Sequence, residues 1–195
     1  MSKKKKFPPR IPRTAGGIRA QDVRGTSAAV WWAKRWAQAL EAMQLGARLG
    51  RGRNYAASGQ VIEFEIAAGE VRAEVLGARP EPYAVGIVFR RPDAAARARI
   101  VAAIKSEPML VARLIADDLP IEIEEIFRRE GYSLFPGGKL APGKYDVTTA
   151  CSCPDYANPC KHSAAVLLLL GEEIARRPRR LVELRGITLE ELCEN

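Results

Sequence analysis

Three of the four cysteines and the single histidine of this 195-residue chain fall within twelve positions of one another. The four residues are Cys151, Cys153, Cys160 and His162, in the spacing C-x-C-x6-C-x-H. Side chains two apart on an extended strand point the same way, so the first two sulfurs can face one ion. The intervening "PDYANP" contains two prolines with Asp155 and Asn158, turn-forming residues that fold one pair back onto the other. This spacing predicts four ligands around one metal ion.

Zinc is the metal that this ligand set favours, because Zn²⁺ prefers tetrahedral sulfur and nitrogen coordination. A sphere of three cysteines and one histidine leaves no open position, so we expect one structural Zn²⁺ rather than a catalytic one. Lys161 and nearby backbone N–H groups could offset its net negative charge. A redox pair is one alternative, although C-x-C lacks the spacer of the thioredoxin motif. Buried cysteines with a helix-capping histidine are another. Cys193 is expected to be an ordinary helix residue.

Cysteine usage and hydropathy also indicate the cellular compartment of the protein. Clustered thiols without a disulfide framework are typical of the reducing cytoplasm. The longest strongly apolar run, residues 164–170, is far shorter than the roughly 20 residues of a membrane span. The start "MSKKKKFPPRIPR" has prolines and arginines where a signal peptide has an apolar stretch. We therefore expect a cytoplasmic protein with no membrane partner.

Positive charge is concentrated in the first third of the chain. The net charge of +8 divides into +6 for residues 1–13 and +5 for residues 14–60, with slightly negative remainders. Such asymmetry indicates an anionic partner, most commonly DNA or RNA. The candidate phosphate contacts are Lys3, Lys4, Lys5, Lys6, Arg10, Arg13, Lys34, Arg35, Arg51 and Arg53. A solubilising tail on a nearly neutral body would explain the same charge.

The periodicity predicts an α+β fold in four parts. Residues 1–25 read as a flexible or partner-ordered basic arm. Residues 26–92 read as an amphipathic helix capped by Thr26 or Ser27, a basic glycine-interrupted connection in "RLGRGRNYAASG", and an antiparallel β-meander. Residues 93–142 read as a helical insert and loop, with Asp93 as a cap and Pro108 and Pro120 opening helices. Residues 143–195 read as a strand, the metal ligands and C-terminal helices, the last capped by Thr188 with Glu191.

The positions of the three tryptophans in the first helix predict two different roles. Trp32 and Trp36 recur one turn apart, which predicts core packing. Trp31 lies off that stripe and is the better candidate for a partner interface.

Catalysis is not expected. The chain has no G-x-x-x-x-G-K-[ST] loop, so it is not itself an ATPase, and its one histidine is committed to metal.

The ligand spacing and its flanks, "CPDYANPCKHSAAVLLLLG", resemble the SWIM-type zinc finger family, whose ligands fall on "CSC" and "CKH". The segments "WWAKRWAQALE", "RGRNYAASGQV", "GEVRAEVLG", "SLFP" and "LRG" resemble the longer bacterial members in the same order. The resemblance implies a ββα SWIM unit around zinc and contacts with DNA or proteins, since SWIM proteins are often associated with SWI2/SNF2-type helicases. The lysine arm lies outside the pattern.

Two functional hypotheses follow. In the first, a zinc-binding SWIM adaptor contacts nucleic acid or recruits it to a larger machine such as an SNF2-type helicase. In the second, the chain is a protein interaction subunit of a larger complex, without direct nucleic-acid binding.

Overall fold

The computed structural model describes residues 12–13, 15–21, 30–137, 139–141 and 144–194. The lysines at positions 3–6, Arg10 and the predicted caps Thr26 and Ser27 lie outside these residues. The first described helix, α1 (Trp31–Ala42), begins with Val30 at its N-cap and no side-chain cap bond. The N-cap of α1 is therefore Val30 and neither of the two predicted residues.

The basic "RLGRGRNYAASG" segment is a helix, α2 (Ala47–Ala57), and not the predicted connection. One of its two glycines has a packing role that composition alone does not show. A Cβ at Gly52 would lie 2.7 Å from the Ala164 Cβ on the neighbouring helix, so only glycine allows this approach. A Cβ at Gly50 would meet open space. Close helix packing outweighs the low helix propensity of glycine here.

The predicted meander is confirmed as three antiparallel strands, β1 (Val61–Ala67), β2 (Glu70–Val75) and β3 (Tyr83–Phe89). The pairing of β1 with β2 shifts between Val61 and Glu63, which is a β-bulge. One extra residue there reverses the alternation of the strand. Val61 therefore shares the core face with Phe64 and Ile66, in spite of their odd spacing.

The predicted helical insert is confirmed as α3 (Ala94–Lys105), α4 (Pro108–Ile115) and α5 (Ile121–Arg129). Asp93 caps α3, its carboxylate accepting a 2.8 Å hydrogen bond from the Ala96 N–H. Pro108 stands in the first turn of α4, and Pro120 is the N-cap of α5. The three helices share one hydrophobic cluster with the sheet, so their apolar faces belong to the main core.

The C-terminal part supplies the remaining elements. They are β4 (Lys139–Ala141), β5 (Lys144–Tyr145), β6 (Val147–Cys151), α6 (Lys161–Arg176), α7 (Arg179–Leu184) and α8 (Leu189–Cys193). Strand β6 pairs antiparallel with β3, which completes a four-stranded sheet in the order β1-β2-β3-β6, while β4 and β5 form a separate pair. Thr188 caps α8 as predicted, accepting from the Glu191 N–H at 3.3 Å.

Helix α6 connects the first helix with the sheet. The predicted core tryptophans pack on it, and their indole N–H groups donate to its carbonyls: Trp36 to Leu167 at 3.2 Å and Trp32 to Ala175 at 3.3 Å. A Cβ at Gly171 would lie 2.5 Å from the Trp36 Nε1, so this glycine makes room for the ring. The prediction of core positions for Trp32 and Trp36 is confirmed.

Part of the predicted arm is ordered against the core. Ile18 forms a β-bridge to Val61, and its N–H donates to the Val61 carbonyl at 2.7 Å. A Cβ at Gly17 would lie 2.2 Å from that carbonyl oxygen, so glycine permits the contact. The sequence predicted a flexible or partner-ordered arm as far as residue 25, whereas backbone pairing with the same chain orders residues 15–21.

Candidate metal centre

The four predicted ligands meet where β6 ends and α6 begins. Their ligand atoms all lie within 4.8 Å of one another. The His162 Nδ1 is 3.7 Å from the Cys160 Sγ and 3.8 Å from the Cys151 Sγ. Cys151 is the last residue of β6, paired with Val85, and Ser152 bonds Ala84 through both its N–H and its Oγ. The sheet therefore fixes the position of the first ligand pair.

The geometry of the cluster fits zinc. Zn–S distances of about 2.3 Å and Zn–N distances of about 2.0 Å place the ligand atoms of a tetrahedron roughly 3.5–3.8 Å apart. The two measured sulfur–nitrogen distances fall at this spacing. Three cysteines and one histidine complete the tetrahedron, which is the property of structural sites. The cluster is thus a site for one structural zinc ion.

Cys160 joins the metal site to the start of α6. It is the N-cap of the helix, and its Sγ accepts from the Ser163 N–H at 3.5 Å. Hydrogen bonding from the Cys151 thiol, then from His162 and Ser163, lowers the pKa of Cys160, although burial opposes the shift. The positive end of the helix dipole also favours a thiolate at this position. The start of α6 is therefore a favourable position for a thiolate ligand.

Two tyrosines and a glycine hold the histidine ring. Tyr83 stacks on it with ring centroids 4.6 Å apart, and Tyr55 meets it edge-on at 5.1 Å. A Cβ at Gly77 would lie 2.5 Å from the Tyr83 ring and 3.5 Å from the His162 Nε2. That buried Nε2 has no hydrogen-bond partner among the described residues. The aromatic packing therefore orients the ring with Nδ1 toward the sulfurs.

The zinc loop, residues 152–159, connects the two ligand pairs. Asn158 donates to the Thr149 carbonyl at 2.6 Å and also bonds the Thr149 hydroxyl, which attaches the loop to β6. Asp155 accepts from the Ala157 N–H at 3.2 Å, and the Asn158–Pro159 peptide bond is cis. These bonds confirm the predicted turn chemistry. Tyr156, at the tip, is fully exposed.

Several cations surround the site. The Arg48 guanidinium donates to the Pro159 carbonyl at 3.4 Å. The Lys161 Nζ lies 5.5 Å from the centre of the Tyr55 ring, and the Arg79 guanidinium lies 5.9 Å from that of Tyr83. Three thiolates and one divalent ion carry a net negative charge, which these cations offset. Arg48 and Arg79 were missing from the predicted site, because only the fold brings them to it.

The predicted phosphate contacts have different environments. Arg35 pairs with Glu124 at 3.0 Å and lies over the Phe135 ring, so its guanidinium is engaged in contacts within the protein. Lys34 and Arg51 are exposed on α1 and α2. Arg53 is half-buried on α2. Arg13 is exposed, and its backbone N–H donates to the Gly77 carbonyl at 3.0 Å, beside the metal site.

Trp31, the predicted interface residue, is half-buried and packed internally. Its indole N–H donates to the Leu119 carbonyl at 2.9 Å. Its ring meets Phe135 edge-on at 5.8 Å. Both contacts connect α1 with the helical insert, so the structure gives Trp31 a packing role, and its helical position alone did not reveal these partners.

A buried ion pair supports the strand that carries Cys151. Arg185, only 1% exposed, donates to the Asp146 carboxylate at 2.7 Å. Its other N–H groups donate to the carbonyls of Arg90, Leu134 and Phe135. Burial lowers the pKa of Arg185, and the Asp146 carboxylate opposes the shift. The sequence showed "LRG" and a solitary aspartate, with no signal that these groups meet.

No described helix has the length and apolar character required to cross a membrane. The α+β fold and the complete set of four ligands define a protein that binds zinc for structural purposes. Residues 144–171 match the SWIM zinc finger family. The chain therefore carries a SWIM zinc finger in this segment, as the resemblance implied.

The chain is also similar, beyond the zinc finger, to the uncharacterized protein Rv2102 of Mycobacterium tuberculosis (strain ATCC 25618 / H37Rv). The two are 39% identical over 189 residues, which cover 96% of this chain. The chain spans 66% of the length of that relative. No solved structure matches the chain significantly.

Proposed function

We propose that this protein is a non-enzymatic, cytoplasmic adaptor that contacts DNA or RNA through the surface around its SWIM zinc finger, and that it brings nucleic acid to a larger machine such as a SWI2/SNF2-type helicase. The observation that carries the proposal is the cationic surface next to the zinc loop. Helix α2 contains three arginines and no acidic residue. Arg48 on this helix bonds the zinc loop directly.

The positions of these cations support contact with phosphates. Arg48 and Arg51 are three residues apart on α2, so they lie on one face of the helix. Arg51 is exposed, and Lys161 stands at the start of α6 beside the same loop. Phosphate contacts of this kind supply affinity without sequence choice. Zinc would keep the loop and the surrounding cations in one geometry.

A salt titration of binding tests the proposal. We expect the affinity for a labelled single-stranded or duplex oligonucleotide to fall steeply as salt rises. Arg51→Ala is expected to weaken binding and to lower the salt slope by about one phosphate contact. Arg128→Ala is the matched control, because it removes an exposed arginine that pairs with Glu125 on α5. Absent or salt-insensitive binding would reject the proposal.

The second candidate is a protein interaction subunit without direct nucleic-acid binding. The outer face of the sheet favours it. This face is exposed and holds a groove of about 640 Å³ between acidic residues of β1 and β2, such as Glu63 and Glu74, and small residues of β3 and β6, such as Gly86 and Ala150.

Deleting residues 1–11 helps to separate the two candidates. If the lysine arm contacts phosphates, the deletion weakens oligonucleotide binding and lowers the salt slope. If nucleic-acid affinity is unchanged while capture of a protein partner is lost, the interaction subunit is the better account.

A further inference from the structure

We propose that Tyr156 is a stacking platform for an unpaired base, and that the protein therefore prefers single-stranded nucleic acid to duplex. This inference rests on the proposed function and names its substrate class. It follows from three properties of the zinc loop: an aromatic ring in full contact with water, a backbone fixed by other groups, and cations on the adjoining elements.

The exposure of Tyr156 shows that the ring contributes nothing to the core. Its relative exposed area is 100%, against 69% for Met109, another exposed large apolar side chain. An aromatic ring covers a large area when it binds a partner, and it has a π-face that every base can stack upon. A ring left wholly in water at the tip of a turn is therefore available to a ligand.

The loop holds this ring at a defined position. Cys153 precedes Tyr156 by three residues and Cys160 follows it by four, so the metal anchors both sides. Between them, Asn158 is bonded to Thr149 on β6, and Asp155 closes a turn onto the Ala157 N–H. None of these contacts uses the tyrosine ring. Binding to a preorganised loop loses less conformational entropy than binding to a flexible one.

The neighbouring cations can neutralise the phosphates on either side of a stacked base. Arg48 donates to the carbonyl of Pro159, three residues after Tyr156. Lys161 follows two residues later at the start of α6. A positively charged groove with an aromatic platform is how proteins bind single strands without sequence preference.

Stacking on the exposed ring favours an unpaired base over a base in a duplex. The faces of a base in a duplex are covered by its neighbours in the stack, and extruding that base costs unstacking energy. An unpaired base offers its face without this cost. We therefore expect tighter binding to single strands of either DNA or RNA than to a duplex of the same length.

The experiment measures fluorescence anisotropy of labelled oligonucleotides of about 15 nucleotides, near the upper site size of single-strand binding folds. The probes are oligo-dT, oligo-U, a duplex, and an oligo-dT with abasic positions that keeps every phosphate. The variants are Tyr156→Ala and Tyr156→Phe in the full chain, with Ile121→Ala on α5 as the control for loss of an exposed apolar side chain, since Ile121 is 58% exposed. Zinc content is measured for each variant, so that a damaged loop is recognised.

We expect Tyr156→Ala to lose roughly 5- to 150-fold in affinity for the single strands, the range for loss of one stacking contact. Tyr156→Phe and Ile121→Ala should bind as the wild type does, and all variants should retain zinc. The abasic strand should bind the wild type more weakly, and Tyr156→Ala should no longer distinguish it from oligo-dT. Salt slopes should be the same for wild type and Tyr156→Ala, because no phosphate contact is removed.

The outcomes separate this inference from the proposed function. If the wild type binds the oligonucleotides with a steep salt dependence but Tyr156→Ala binds equally well, the stacking inference is overturned and the proposed function stands. Tighter binding of duplex than of single strand overturns it as well. If the wild type binds none of the probes, both are overturned.

Discussion

The zinc loop and the helical insert are held together by different forces. The insert buries large side chains completely, among them Ile100, Ile104, Leu114, Ile123 and Phe127. Residues 152–159 of the zinc loop bury none of their side chains fully. Their geometry depends on the four ligands and on a few hydrogen bonds. One chain therefore contains a region stabilised by apolar burial and another stabilised by coordination, and each should respond to its own perturbation.

Metal removal should give the largest effect, and this effect should be confined to the region around the zinc site. Structural zinc contributes roughly 10–16 kcal/mol of apparent binding free energy in zinc-finger peptides. We expect a chelator, or Cys160→Ala, to raise the rate of hydrogen exchange over residues 147–170. Helices α3 and α5 should stay more protected than these residues. Cys193→Ala is the control, because Cys193 is exposed outside the cluster and should keep one zinc per chain. Equal loss of protection in the insert would show that the two regions unfold as one unit.

A cavity in the helical insert should lower the stability of the protein without removing the zinc ion. Phe127 is fully buried, and Phe127→Ala is expected to lower the free energy of unfolding by about 3–5 kcal/mol. The folded fraction should still bind one zinc ion, as measured by elemental analysis after native purification. The control Met109→Ala removes an exposed side chain and should change stability little. Loss of zinc from the folded Phe127→Ala variant would contradict the separation between a region stabilised by apolar burial and one stabilised by coordination.

Arg185 and Asp146 lie at the junction of the two regions. Asp146 directly precedes β6, which carries Cys151, and Arg185 bonds the carbonyls of Leu134 and Phe135, beyond the end of α5. Arg185→Met leaves a buried carboxylate without its partner, which costs about 3–5 kcal/mol in comparable pairs.

Chemical denaturation of single and double variants tests the role of this pair. Adding Asp146→Asn to Arg185→Met should recover part of the lost stability. The carbonyls would still lack their donor, so recovery should be incomplete. Additive losses would show that the two side chains are not coupled.

Two glycines of α2 provide the smallest and most specific comparison. Gly52→Ala places a methyl group 2.7 Å from the Ala164 Cβ, and we expect overpacking to cost about 1–3 kcal/mol. Gly50→Ala meets open space, and the gain in helix propensity should stabilise the protein by about 0.5–1 kcal/mol. Opposite shifts in melting temperature are the expected result. Shifts of the same sign would show that Gly52 is not a packing position.

The ligand set and most regular elements could be predicted from the sequence, because their signals are local. The spacing of the cysteines, the alternation in β2 and β3 and the caps at Asp93 and Thr188 each lie within a few residues. The metal cluster followed from a short segment in which strand, turn and helix start are all visible.

The rest depended on contacts between distant parts of the chain. Gly50 and Gly52 were interpreted as loop residues, because the close packing of α2 against α6 that stabilises this helix is not visible in the local sequence. The bulge after Val61 reverses which side chains of β1 point toward the core, and no glycine or proline in the strand indicates it. Arg185 and Asp146 are 39 positions apart, and nothing in either neighbourhood shows that they pair. Residues 15–21 looked too poor in apolar groups to be ordered, yet backbone pairing orders them.

Cys160 is at once a metal ligand and the residue that begins α6, and this has a consequence for how the protein matures. The helix that carries the packing surface for Trp32, Trp36 and Gly52 has its first turn defined by a sulfur atom whose other role is to hold an ion. We therefore expect that, in a newly synthesised chain in a metal-poor cell, Cys160 begins the helix through its bond to the Ser163 N–H alone. We expect metal supply during biosynthesis to affect when α6 becomes fixed against the elements around it.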